Sequence, residues 1–159
     1  MAGTGRQDYS NHASLTKRLI VQHRANEASK RLQSIHGIGI IGASAIAATV
    51  TDPKAFRSGR DFAAWIGLVP RQDPTGGKHK LGPISKQGDR YLRRILVVGA
   101  HSVLRRAKHN PEKYPWLTQL LARRPFKVVA IALANKMARI AWALLASGGH
   151  YRPRLAATA

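Results

Sequence analysis

Three hydroxyls, those of Thr75, Ser85 and Tyr91, fall in a stretch dense in cations and glycine: Leu68–Arg94, LVPRQDPTGGKHKLGPISKQGDRYLRR. A hydroxyl that attacks a phosphodiester needs a base to take its proton and positive groups around the phosphorus as charge builds there. The positive groups are at hand: Arg71, Lys78, Lys80 and Lys86, followed by Arg90, Arg93 and Arg94. Arg90 and Arg94 are spaced to share one helix face, with Arg93 beside them. Thr75-Gly76-Gly77-Lys78 sets a hydroxyl next to two permissive residues and a cation. No general base is evident; His79 is close in the chain, but a lone loop histidine is more often incidental. Ser85 has a plainer use in satisfying nearby backbone groups, and Tyr91 as a packing residue with a wet hydroxyl. TGGK is not a Walker A loop, because the G-x-x-x-x-G-K-[ST] spacing and the leading apolar strand are both missing.

A second glycine motif, Ile35-His36-Gly37-Ile38-Gly39, interrupts a helical pattern that then resumes. Two readings fit it. Glycines at such a turn let the backbone approach a phosphate, and the next helix begins with unpaired N–H groups that bind one. The turn is equally an ordinary tight link between packed helices. Metal chemistry is poorly supported: Asp8, Glu27, Asp52, Asp61, Asp73, Asp89 and Glu112 are scattered, as are the seven histidines, with no two-metal carboxylate cluster.

The elements that must carry these residues follow from pattern and punctuation. Residues 1–13 read as a polar, loose lead-in, and Ser14–Gln33 as a basic amphipathic helix with Leu15, Leu19, Gln22 and Leu32 along one face. Small residues in IIGASAIAATV suit close helix packing. Ser58 three residues before Asp61 starts a short helix, DFAAWI, that Gly67 ends. The connection from Val69 to Gly88 holds Pro70, Pro74, Pro83 and four glycines, so it is expected to be a long basic loop without regular structure; loops beyond about 12–15 residues are usually functional or disordered. Asp89 opens a helix to about Lys108, with Leu92, Ile95, Leu96, Gly99, Val103 and Leu104 on its apolar side, and Asn110-Pro111 breaks it. A short helix at 116–122 and an apolar one at 125–146 follow, closed by Gly148-Gly149. No convincing strand pair or internal repeat is visible, and the expected fold is all-α: a compact helical domain over 34–151, with 1–33 as lead-in and connector and 152–159 as a loose tail.

Composition narrows the partners. Twenty-seven Lys and Arg against seven Asp and Glu give a net charge of +20, which attracts polyanions and releases counterions on binding DNA or RNA. A membrane surface is the competing polyanion, but no uninterrupted apolar run reaches the roughly 18 residues of a bilayer span. Zero cysteines exclude thiolate metal sites and disulfides and fit a reducing cytoplasm.

The run from IHGIGIIGASAIAATV through PRQDPTGGKHKLGPISKQGDRYLRRILVVGA to ARRPFKVVAIALANKMARIAWALLASG resembles the C-terminal domain of Piv-type transposases of the insertion sequence 110/1111 group, which are RNA-guided recombinases. The resemblance spans about Ser34–Tyr151, and PRQ-x-x-TGGK-x-x-LG-x-ISK-x-GD-x-YLRR is far longer than a chance motif. It implies a serine-type nucleophile after PRQ, so that Thr75 stands at the nucleophile position with Ser85 as the alternative, aided by Arg71, Lys78 and Lys86. The reading of the residues themselves gives the expected phosphate contacts: Gly37, Gly39, Arg71, Gly76, Gly77, Lys78, Lys80, Lys86, Arg90, Arg93 and Arg94. The resemblance implies DNA (element ends and target) as partner, together with a guide RNA and either a homo-oligomer or a full-length transposase. Magnesium is expected only with a separate RuvC-like domain that this chain lacks. Threonine departs from the family's serine, and β-branching crowds its attack. The expected function is a DNA-binding transposase domain, a truncated copy not competent alone. A non-enzymatic helix-hairpin-helix accessory protein is the alternative.

Overall fold

The computed structural model describes the backbone of residues 4–75 and 78–151 and the side chains of residues 13–71 and 82–151. The elements run α1 (Thr4–Ala25), α2 (Glu27–Gln33), α3 (Ile40–Thr49), α4 (Gly59–Trp65), β1 (Pro70–Thr75), β2 (Lys78–Ile84), α5 (Arg90–His109), α6 (Pro115–Arg123) and α7 (Phe126–Ser147). The fold is mostly α, as the helical patterning predicts.

Helix ends fall where local chemistry puts them. Ser58 Oγ accepts the Asp61 N–H at 3.2 Å to start α4, and Asp89 Oδ1 accepts the Leu92 N–H at 2.8 Å to start α5. These side chains satisfy N–H groups that a helix start leaves without partners. Asn110 caps α5 before Pro111, and Gly148, at φ 66, closes α7 in the left-handed region.

Two expectations are corrected at the N-terminal end. The anticipated loose lead-in is helical from Thr4. The single helix expected over Ser14–Gln33 is two, because Asn26 leaves helical geometry (φ −106, ψ 106) and its side chain accepts the Ser29 N–H. That cap competes with helix continuation. Leu15 is 58% exposed, so it does not share Leu32's buried face. The three helices are joined through polar groups. The buried His23 ring lies 2.8 Å from Gln33 Oε1 and 2.7 Å from Ser29 Oγ, which is itself 3.3 Å from Ser44 Oγ on α3. With Nε2 donating to the Gln33 carbonyl oxygen, Nδ1 accepts from Ser29.

The core lies between α7 and the helices packed on it, α4 and α5 above all. On α5, Leu92, Leu96, Gly99, Val103 and Ala107 recur at helical spacing and are all buried. They face Val129, Leu133, Met137 and Ala141 of α7 in one cluster with Phe62, Ile66 and Leu68. By length and hydropathy α7 could cross a membrane; with 44% of its most apolar window buried inside the protein, it serves here as a core helix.

Val69–Gly88 differs most from expectation. In place of a long irregular loop, β1 and β2 form an antiparallel hairpin. Thr75 pairs with Lys78, Pro74 with His79, Asp73 with Lys80 and Gln72 with Leu81, and the register then slips so that Pro70 meets Ile84. The slip leaves Gly82 and Pro83 opposite Arg71 alone. A bulge tolerates both: glycine bends the strand there and proline, which donates no ladder bond, is confined to such places.

Candidate nucleic-acid interface

The hairpin is rooted firmly. Ser85 N–H donates to Val69 O at 3.0 Å and Lys86 N–H to Gly67 O at 3.2 Å. Arg93 Nη1 reaches back from α5 to Ile66 O at 2.8 Å and Gln87 O at 3.2 Å. Asn135 of α7 donates to Leu68 O at 3.2 Å. A Cβ on Gly88 (φ 81) would sit 1.6 Å from Trp65 O, and one on Gly67 (φ 82) 2.2 Å from Gln87 O, so the two backbones touch where only glycine fits. Beyond this root, β1 and β2 pair with each other and, among the described residues, with no helix.

Register orders the candidates along the hairpin. Thr75 closes β1 at the tip, opposite Lys78. Ser85 and Lys86 follow the far end of β2, roughly 20 Å away at ~3.3 Å per residue. Arg71 belongs to the root as well. Of the hydroxyl's three expected helpers, Lys78 alone shares its end. Gly76 and Gly77 lie outside the described residues, as do the side chains of Thr75, Lys78, His79 and Lys80. Around the root, Arg71 on β1, Lys86 after β2 and Arg90 and Arg94 on the first turns of α5 are all exposed. Tyr91, 57% exposed, stands among them on the first turn of α5. Arg93 does not join this outward set, being half-buried and engaged by two carbonyls. Among the described residues the one ion pair is Lys30–Glu27, so none of the root's described cations is paired with a carboxylate, Asp89 capping α5 instead.

Lys86 carries a signal that the sequence does not. It is the one non-glycine residue with positive φ among those described, at 56. That conformation costs a residue with a Cβ roughly 1–2 kcal/mol, and such strain persists where surrounding contacts impose it. The Gly67 carbonyl and the Gly88 contact supply them.

The Ile35–Gly39 motif separates into two unlike halves. Gly37, at φ 93, turns the chain between α2 and α3, and its carbonyl oxygen would lie 2.1 Å from a Cβ on Gly99 of α5. This half of the motif is a helix-packing contact. Gly39 has open space around it and starts α3 with no side-chain cap. Among the described residues no three His, Asp or Glu side chains converge, so these residues offer a divalent cation no ligand set.

The arrangement is that of a positively charged, rigidly rooted hairpin on a helical body. Residues 29–115, which contain it, match the model of the Transposase IS116/IS110/IS902 family. The chain is 52% identical over 141 residues to a putative transposase, y4pF/y4sB, of Sinorhizobium fredii, covering 87% of this chain and 36% of that protein. It is 51% identical over 142 residues to a probable family 20 transposase of Pseudomonas aeruginosa, covering 89% and 42%. It is 46% identical over 134 residues to the transposase for insertion sequence element IS1328 of Yersinia enterocolitica, covering 83% and 40%. The chain thus spans well under half the length of each of these relatives. With more than half of its residues matched by the family model, hairpin and root included, the chain belongs to the Transposase IS116/IS110/IS902 family.

Proposed function

We propose that this chain is a DNA-binding transposase domain, C-terminal in the full-length proteins, that grips duplex DNA through the hairpin and its root and offers the Thr75 hydroxyl to a phosphodiester. The observation that carries the reading is the root: Arg71, Lys86, Arg90 and Arg94 exposed on a backbone anchored to the helical body, with none of them ion-paired among the described residues. Such an array positions a phosphate backbone without reading sequence. Lys78 and Lys80 extend it along β2 towards the tip.

In the chemistry proposed, Thr75 Oγ1 attacks phosphorus and loses its proton. The bond from phosphorus to the departing sugar oxygen breaks, that oxygen is protonated, and a Thr75 phosphoester remains. Attack on that ester by another sugar hydroxyl rejoins the strand and restores the threonine. Magnesium and its carboxylate ligands come, in this reading, from a RuvC-like segment of a full-length transposase, and DNA ends, a guide RNA and the assembly with that transposase belong to the same proposal.

The test is to trap a covalent protein–DNA adduct on nicked element-end DNA with a full-length relative added in trans. An adduct on this chain, lost in Thr75→Ala and increased in Thr75→Ser, supports the chemistry. Salt-dependent DNA binding with no adduct under any of these conditions leaves a purely binding, accessory protein in its place.

A further inference from the structure

A second surface lies away from the hairpin tip, where Gly59 at the start of α4, Trp116 of α6 and one stripe of α7 enclose an open cleft of about 540 Å³. We propose that this cleft seats a single strand of nucleic acid, with an unpaired base against Trp116 and the adjoining phosphates on Lys136 and Arg139. The proposal rests on the nucleic-acid reading above but concerns another surface and another form of the ligand.

Two tryptophans line the cleft and differ in kind. Trp142 is half-buried and its Nε1–H donates to Pro53 O at 2.9 Å, so it belongs to the framework. Trp116 is 42% exposed, and among the described residues no acceptor meets its indole N–H. What covers its ring is the Lys136 ammonium, 4.2 Å from the ring centroid. At an exposed site base–aromatic stacking is stronger than such a cation–π contact, so a base can take the ring face while Lys136 moves to the phosphate beside it.

The space comes from small residues. A Cβ on Gly59 would lie 3.1 Å from the Arg139 backbone, so α4 sits directly on α7, and Ala132 leaves the wall low. Lys136 and Arg139 are exposed, and no Asp or Glu lines the cleft. An aromatic platform beside unneutralised cations is how proteins hold single strands with little sequence preference. A paired, stacked base does not present its face to such a platform. Asn135, which lines the cleft, also holds Leu68 O just ahead of the hairpin, so the cleft and the hairpin root are anchored to the same segment of α7.

The experiment measures binding of oligo-dT, oligo-U and a random-sequence duplex to the whole chain and to Trp116→Ala, Trp116→Phe and Lys136→Ala, each checked for an unchanged helical spectrum. Trp116→Ala is expected to weaken single-strand binding about tenfold and duplex binding less than about twofold, with Trp116→Phe close to the parent. Lys136→Ala, which leaves the ring in place, gives the same selective loss if Trp116→Ala fails to fold. A loss confined to oligo-dT or to oligo-U assigns the seat to DNA or to RNA. Equal effects on single strands and duplex, or polyglutamate displacing oligo-dT as well as unlabelled oligo-dT does, overturn the proposal while the hairpin reading stands. Absence of duplex binding by the parent chain overturns the reading beneath it.

Discussion

Two glycine-bearing segments of this chain, Ile35–Gly39 and Gly67–Gly88, look alike in sequence and are placed differently by the fold. At Ile35–Gly39 a turn with positive φ at Gly37 is pressed into α5, close enough to Gly99 that neither position has room for a side chain. At Pro70–Ile84 a hairpin is held at its root, by Gly67, Gly88 and Arg93, and among the described residues pairs with itself beyond that. Glycine serves helix packing in the first and anchors a protruding element in the second. The room for a side chain at each glycine is set by what the body of the protein has placed against it.

The largest effect should separate the glycines themselves. Gly99→Ala puts a Cβ 2.1 Å from Gly37 O, and forcing α5 off the turn is expected to cost about 3 kcal/mol in urea unfolding. Gly39→Ala meets nothing within 4 Å and should cost about 1 kcal/mol or less as a change of helix cap. Equal costs would erase the contrast. A binding defect in Gly39→Ala without loss of stability would return the start of α3 to the DNA surface.

Next in size is Arg93. Arg93→Met removes the donor that bridges Ile66 O and Gln87 O, and about 2 kcal/mol of stability should go with it. Faster amide exchange at Ser85 and Lys86 is expected alongside. If instead stability holds and the slope of log K against log salt falls by about 0.9, Arg93 is a phosphate ligand and its carbonyl contacts are secondary.

Lys86 gives a smaller change with opposite signs in two assays. Lys86→Gly relieves a φ of 56 and should raise stability by about 1 kcal/mol. The same variant should lower the salt slope for duplex binding by about 0.9. A loss of stability would mean that the Lys86 side chain, and not its backbone, holds the root.

The smallest effect is far from either turn. The Lys30 ammonium, hydrogen-bonded to Glu27 and attracting it, holds the Glu27 carboxyl below the usual carboxylate range. A lowered folded value stabilises above the unfolded one, and that contribution disappears as pH falls through the folded value. Lys30→Ala should therefore flatten the acid limb of the stability curve slightly and change nothing at neutral pH in DNA binding. The pair is exposed and screened.

Legibility in the sequence followed the range of the interactions. Ser58, Asp89, Asn110 and Gly148 end or begin helices through bonds a few residues long, so their roles could be read from spacing. The hairpin could not be read as easily, because its pairing joins Pro70 to Ile84 across the chain and its strands carry prolines at 70, 74 and 83. Thr75-Gly76-Gly77-Lys78 did hold a usable signal, since paired glycines between two runs are a hairpin cue. Arg93 read as one more surface cation, and only its distance to Ile66 O reveals a clamp. The strain at Lys86 and the cleft at Trp116 depend on contacts between remote segments, and no local pattern carries them.

The central claim is that DNA meets the hairpin and its root and not the packed turn. Amide hydrogen exchange of the whole chain with and without saturating duplex DNA tests it directly. The account predicts slowed exchange concentrated in residues 69–94, with 35–38 unchanged. Duplex binding that leaves 69–94 unprotected, or that protects 35–38 instead, would contradict it.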